Sequence, residues 1–134
     1  MTLLTPLRKR FLIALPLGLV AGLICTALAS STNPGIWGTA LMWTIITDRI
    51  LIGMVVGLAG AYRKHPVFGF PIPWFVRGTC LGVFVSLPLA TGAMMDGTTP
   101  WMIFFATLIA GGIYGLVIDG FATKFGGEGK EIIE

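Results

Sequence analysis

Residues 36–62 read IWGTALMWTIITDRILIGMVVGLAGAY, an apolar stretch that carries one acid and one base side by side at its centre. A helix that crosses a bilayer needs about 20 predominantly apolar residues, and this stretch is longer than that. Asp48 and Arg49 each cost about 2.5–3.5 kcal/mol at the centre of such a helix. The stretch therefore predicts a membrane-spanning helix with two groups that need a partner or water.

Similar apolar stretches occupy most of the remaining chain, at residues 11–29, 74–92 and 101–123. Hydrophobic residues make up 55% of the sequence and charged residues only 11%, whereas a soluble domain is about 25% charged. The chain has too little polar surface to face water. We therefore predict an all-α fold, a four-helix bundle integral to the lipid bilayer, in which residues 1–134 form a single transmembrane domain.

The basic residues outside these stretches predict how the chain is oriented. The connections around Asn33 and Asp96 contain no Lys or Arg, and the basic residues flank the other ends of the four stretches. By the positive-inside rule, both termini are cytoplasmic. We expect a multi-pass protein of a prokaryotic plasma (inner) membrane, with no nucleic-acid partner. The flanking residues are Arg8, Lys9, Arg10, Arg63, Lys64, His65, Lys124 and Lys130.

The first apolar stretch has an alternative interpretation as a cleaved signal peptide. Arg8 to Arg10 are typical of the basic start of a signal peptide, and residues 27–29, ALA, are typical of a cleavage site. The apolar run, however, is longer than the roughly 7–15 residues of a signal-peptide core. We favour an uncleaved first span, and the alternative stays open.

Two hairpins are predicted by an internal similarity of sequence. Gly18 aligns with Gly78, and Gly22 aligns with Gly82, while residues 53–56, GMVV, align with residues 115–118, GLVI. Such an alignment predicts two parallel repeats related by a pseudo-two-fold axis along the membrane normal. Chance is the alternative, because apolar sequences rich in glycine align with each other easily.

Glycines spaced four residues apart occur once in each stretch, and this small-xxx-small pattern favours close packing of helices in lipid. We interpret these glycines as helix-packing residues and not as a cofactor site. The pairs are Gly18 and Gly22, Gly53 and Gly57, Gly78 and Gly82, and Gly111 and Gly115.

The central charges are the first candidates for function. Arg49 shares a helix face with Gly53, which predicts that it points into the packed interior or toward another subunit. Neighbouring residues of a helix point about 100° apart, so Asp48 and Arg49 are not expected to satisfy each other. Asp48 shares its face with Thr44. Together with Thr47, these residues are the candidates for binding or permeation.

A second pair of charges lies near the inner ends of the last two stretches. Arg77 follows the start of the third, and Asp119 precedes the end of the fourth. Consecutive helices run antiparallel, so both side chains are expected at one depth. We predict an intramembrane ion pair between Arg77 and Asp119 that fixes the register of the helices.

No motif in the sequence specifies an enzyme, since it has no phosphate-binding loop, dinucleotide fingerprint or nucleophile elbow. One histidine with Cys25 and Cys80 predicts no metal site, and no cofactor is expected. We expect a homo-oligomeric channel or transporter for a small solute or ion, with Asp48 and Arg49 in or beside the path. The oligomer is expected because four glycine-rich helices leave little internal volume.

The alternative function is a non-transporting structural or assembly subunit of a larger membrane protein complex. The intramembrane charges would then dock against other membrane subunits instead of lining a path. The two classes differ in whether the purified chain moves a solute by itself.

Overall fold

The computed structural model describes residues 5–96 and 99–129, and four α-helices dominate this part of the chain. Each helix is long and apolar enough to cross a membrane, which confirms the predicted all-α membrane bundle. Gly97, which follows Asp96, and Lys130, which the sequence analysis names as a flanking basic residue, lie outside the described residues. The helices are α1 (Thr5–Ser30), α2 (Ala40–Ala59), α3 (Trp74–Ala93) and α4 (Pro100–Gly126).

The two ends of the bundle differ in charge. One end, called here the basic end, holds the start of α1, the connection of residues 60–73 and the end of α4. It contains Arg63, Lys64 and Lys124. The other end, called the opposite end, holds the connections between α1 and α2 and between α3 and α4, which contain the short 3-10 turns Pro34–Ile36 and Met94–Asp96.

Glycines bring the helices together within each hairpin. The contacts of α1 with α2 and of α3 with α4 are more extensive than those between the hairpins. A Cβ added at Gly18 would lie 2.5 Å from the carbonyl oxygen of Arg49, and one added at Gly78 would lie 2.5 Å from that of Gly115. Any larger residue at these positions would push the helices apart. The glycine pairs therefore lie at helix contacts, where the sequence predicts them.

The two hairpins do not share one contact register. A Cβ at Gly53 would meet Ala14 and Gly18, whereas one at Gly115 would meet Gly78 and Gly82. Because Gly115 aligns with Gly53 and Gly78 aligns with Gly18, the contacts of the second hairpin are displaced by one helical turn. The internal duplication stays a prediction.

The second helix is shorter than residues 36–62. It begins at Ala40. Gly38, just before it, has a φ of +81°, and this left-handed backbone conformation ends any helix that would start at residue 36. The hydroxyl of Thr39 then accepts a hydrogen bond from the backbone N–H of Met42 at 3.3 Å, which caps the helix. Pro34 starts a separate 3-10 turn that precedes α2. The first helix is longer than its apolar stretch, so that Arg8 to Arg10 are helical.

Candidate functional site

A closed polar triad lies at the centre of the bundle. Arg49 is 1% exposed, and its Nη1 donates hydrogen bonds to Asp48 Oδ2 and, at 2.8 Å, to Ser86 Oγ. The Ser86 hydroxyl in turn donates to Asp48 Oδ2 at 2.9 Å. The prediction that Asp48 and Arg49 do not satisfy each other is therefore wrong. The 100° angle applies to the Cβ directions, and the long arginine side chain bends back across it.

Small residues on the neighbouring helices make room for this triad. Ser86 is fully buried on α3, and a Cβ added at Gly111 of α4 would lie 2.7 Å from Ser86 Cβ. A Cβ added at Gly22 of α1 would lie 3.5 Å from Arg49 Cβ. The glycines of the packing pattern thus admit buried polar side chains between the helices as well as close backbone contacts.

The other edge of the Arg49 guanidinium has few partners. Its Nη2 donates to Cys25 Sγ at 3.6 Å, and the guanidinium carbon lies 5.1 Å from the centre of the Tyr114 ring, a cation–π contact. Its Nε is buried and has no hydrogen-bond partner among the described residues. Within residues 5–96 and 99–129, the edge formed by Nε and Nη2 meets a thiol but no oxygen acceptor.

Arg49 lines a partly open cavity of about 470 Å³, called here the Arg49 cavity, to which all four helices contribute side chains. It reaches from Thr32 and Asn33 at the opposite end to Arg49 and Tyr114, the lining residues farthest from that end along α2 and α4. Ligand pockets commonly occupy about 300–1,000 Å³. The expectation of little internal volume stays a prediction, because this cavity is partly open at the surface of the bundle. The close glycine contacts lie within each hairpin, whereas residues of both hairpins line the cavity.

Asp48 borders a different depression, of about 410 Å³, between α2 and α3. Thr44 and Thr47 also line this depression and are exposed. The Thr44 hydroxyl donates to the carbonyl oxygen of Ala40 at 2.8 Å, and it is thus bonded to its own helix. The structure separates these two threonines from the Arg49 cavity, although the sequence predicts them in one site with Arg49.

Arg77 and Asp119 lie together at the basic end. Arg77 Nε donates to Asp119 Oδ2 and Arg77 Nη2 donates to Asp119 Oδ1, both at 2.8 Å. Both side chains are buried, with Asp119 fully enclosed. In the structure, the two residues of the predicted ion pair therefore form a bidentate salt bridge.

Arg10 is a further partner of Asp119 that the sequence does not predict, because its place in a basic flank indicates only membrane topology. It is fully buried, its Nη2 forms a salt bridge with Asp119, and its Nη1 donates to Thr123 Oγ1 at 2.9 Å. Gly57 accepts from Arg10 Nε at 3.2 Å, and Gly60 leaves space where a Cβ would overlap the Arg10 side chain. Gly60 follows Gly53 and Gly57 on the same face of α2. This continuation of the glycine face is the feature of the sequence that indicates a buried side chain packed against the end of α2.

The end of α4 and the residues after it complete this cluster. Arg77 Nη2 donates to Glu128 Oε2 at 3.0 Å, and the backbone N–H of Gly129 donates to the carbonyl oxygen of Gly60 at 2.8 Å. An apolar core lies between the cluster and the Arg49 cavity and separates the two polar regions. Its buried members are Ala14, Ala21, Ile52, Val56, Ile118 and Ala122.

Four apolar helices that are long enough to cross a bilayer define the chain as a multi-pass membrane protein. Comparisons of the chain with protein-family models, with curated proteins and with solved structures gave no significant match. Within the described residues, no group of His, Cys, Asp or Glu side chains has the arrangement of a metal site. The function is therefore inferred from the geometry of the Arg49 cavity.

Proposed function

We propose that this protein is a membrane transporter that binds a small polar solute in the Arg49 cavity. One observation carries the proposal: a cavity of about 470 Å³ that starts at one end of the bundle leads to a buried guanidinium at its centre. Ionisable residues inside a membrane are expensive, and they commonly mark solute pathways. The cavity is large enough for a small organic molecule.

The arrangement favours a transporter over an open channel. The cavity is joined to the opposite end, while the apolar core and the cluster around Asp119 lie between Arg49 and the basic end. A central site that is accessible from one side at a time is the basis of alternating access. The contacts between the two hairpins are less extensive than those within each hairpin. This difference favours a rigid-body motion of α1 and α2 relative to α3 and α4.

We further propose that the basic end is cytoplasmic and that the cavity faces outward from a prokaryotic plasma membrane. Arg63, Lys64 and Lys124 at that end support this orientation. A homo-oligomer, which the sequence predicts, is not required by the proposal, because the residues that line the Arg49 cavity all belong to a single chain.

The test is solute exchange by the purified protein in liposomes. Labelled lactate, glycerol and choline represent anionic, neutral and cationic solutes, and protein-free liposomes give the background. We expect at least one solute to exchange faster with the protein present. Arg49→Gln should return that exchange to background, whereas Thr44→Val, outside the cavity, should retain it.

A folded protein that exchanges none of the three solutes would contradict transport. Folding is checked by elution as a single species and by a helical circular dichroism spectrum. That outcome would favour the alternative, a non-transporting subunit of a larger complex, which should co-purify with other membrane proteins from its host.

A further inference from the structure

The hydrogen-bond donors of Arg49 are used unequally. A guanidinium has five N–H donors in a fixed planar arrangement. Among the residues that the structure describes, those of Nη1 reach Asp48 and Ser86, whereas Nη2 reaches only the Cys25 thiol at 3.6 Å. A thiol is a weak acceptor, and Nε has no partner among the described residues. The Nε–Nη2 edge therefore offers two nearly unused donors on a buried residue that lines the cavity.

The same bundle contains an arginine that uses this edge fully. Arg77 holds the Asp119 carboxylate through Nε and Nη2, with two hydrogen bonds of 2.8 Å. The spacing of the two donors matches the two oxygens of a carboxylate, which makes such contacts both strong and specific. We propose that Arg49 binds the carboxylate of a small organic acid through its Nε–Nη2 edge at the deep end of the cavity. The inference deepens the proposed transport function by naming its substrate class.

The rest of the lining suits an organic tail. Most other side chains that line the cavity are apolar, and they include Ile45, Leu89 and Ile103. The Thr107 hydroxyl donates to the carbonyl oxygen of Ile103 at 2.8 Å, so it is bonded to its own helix. A strongly hydrated inorganic anion would lose its water against such a wall without replacement. A carboxylate with a short carbon chain would place its charge on Arg49 and its tail against the apolar wall.

Binding of a second carboxylate changes the charge balance of the triad. Asp48 and Arg49 together are neutral, and an added anion would leave one negative charge in the membrane interior, where it is expensive. Arg49 on its own helix and Ser86 on α3 face the Asp48 carboxylate, while Cys25 on α1 and Tyr114 on α4 contact Arg49. Uptake of one proton from water onto an Asp48 oxygen restores neutrality. One proton therefore accompanies each carboxylate.

The test measures binding and proton uptake by the purified protein in detergent. Lactate is titrated in weakly buffered solution, with calorimetry for affinity and a pH electrode for protons. We expect saturable binding with about one proton taken up per lactate, and no binding of lactamide, its uncharged analogue. Because a proton is taken up, the Kd should rise with pH, by up to about tenfold per pH unit once Asp48 is ionised.

Two variants separate the carboxylate contact from the proton step. Arg49→Lys keeps the charge but lacks the planar edge, and it should weaken lactate binding at least tenfold. Asp48→Asn is uncharged, and it should bind lactate without proton uptake and with a Kd independent of pH. Ser86→Ala keeps both charges, and it should still take up about one proton per lactate. This variant provides a second measurement of proton uptake if Asp48→Asn does not fold.

Several outcomes would overturn the inference. They are equal binding of lactate and lactamide, lactate binding to the wild type without proton uptake, and an unchanged Kd in Arg49→Lys. A wild-type protein that binds no lactate but exchanges glycerol in liposomes would overturn the substrate class and leave the transport proposal standing. A protein that binds lactate with a proton but exchanges no solute would support the site and contradict transport.

Discussion

Arg77 and Asp119 are joined by two parallel hydrogen bonds of 2.8 Å across the contact between α3 and α4. Arg10 of α1 forms a salt bridge with the same carboxylate, and Glu128 accepts a further hydrogen bond from Arg77. One acid at the basic end thus holds guanidinium groups from two other helices. This carboxylate therefore links α1 to the second hairpin.

Replacing Asp119 by Asn should strongly destabilise the protein. Arg10 and Arg77 would keep their buried charges without the carboxylate, and breaking a buried ion pair in this way costs about 3–5 kcal/mol. Thermal unfolding in detergent, followed by circular dichroism, measures the effect. Glu128→Gln is the control, because Glu128 is partly exposed and also lies 3.6 Å from the exposed Arg63. Equal losses for the two variants would contradict the central role of Asp119.

A double-mutant cycle should show that Arg77 and Asp119 act together. Arg77→Gln and Asp119→Asn remove the same contact, so their effects on the free energy of unfolding should not add. For residues in one ion-pair network, the expected coupling is about 0.5–3 kcal/mol. Additive effects of the two substitutions would contradict a direct interaction.

The close contact between α3 and α4 predicts opposite effects for alanine at two glycines of α3. A Cβ at Gly82 would lie 2.8 Å from the carbonyl carbon of Gly111, whereas one at Gly92 would meet nothing within 4 Å. Gly82→Ala should therefore destabilise the protein, by about 1–3 kcal/mol for overpacking. Gly92→Ala should be neutral or stabilising, because alanine favours a helix by about 0.5–1 kcal/mol. The melting temperatures of the two variants provide the comparison, and a similar loss in both would exclude this packing explanation.

The sequence predicts the helices and the Arg77–Asp119 contact because both depend on depth in a membrane. Hydropathy gives the number of spans, and antiparallel neighbours place Arg77 and Asp119 at one level. The triad at Arg49 could not be predicted in this way. Its formation depends on the bend of one long side chain and on Ser86 from another hairpin, and a rule based on Cβ directions contains neither.

The missed role of Arg10 has a similar cause. A basic residue beside an apolar stretch fits the positive-inside rule whether its side chain points into water or between helices. Its burial depends on α1 extending beyond the apolar stretch and on Gly60 and Gly126 leaving room for it. The Arg49 cavity could not be predicted from the sequence either. The glycine pattern predicts close packing of the two helices within each hairpin, but it does not predict the space between the hairpins.

The proposed orientation predicts which surface positions an impermeant reagent reaches in cells. Phe68 at the basic end and Met95 at the opposite end are both highly exposed. In a background with Cys25→Ala and Cys80→Ala, Met95→Cys should react with an impermeant maleimide in intact spheroplasts. Phe68→Cys should react only after the membrane is opened. The reverse pattern would invert the orientation and turn the cavity toward the cytoplasm.

Filling the Arg49 cavity from a single helix position tests the central claim most directly. Ala110 lines the cavity, whereas its neighbour Ile109 is 62% exposed on the outer surface of the bundle. Exchange of lactate by proteoliposomes is compared for the wild type, Ala110→Phe and Ile109→Phe at equal protein density. We predict wild-type exchange for Ile109→Phe and exchange near background for Ala110→Phe. Exchange by a folded Ala110→Phe variant at the wild-type rate would contradict transport through this cavity.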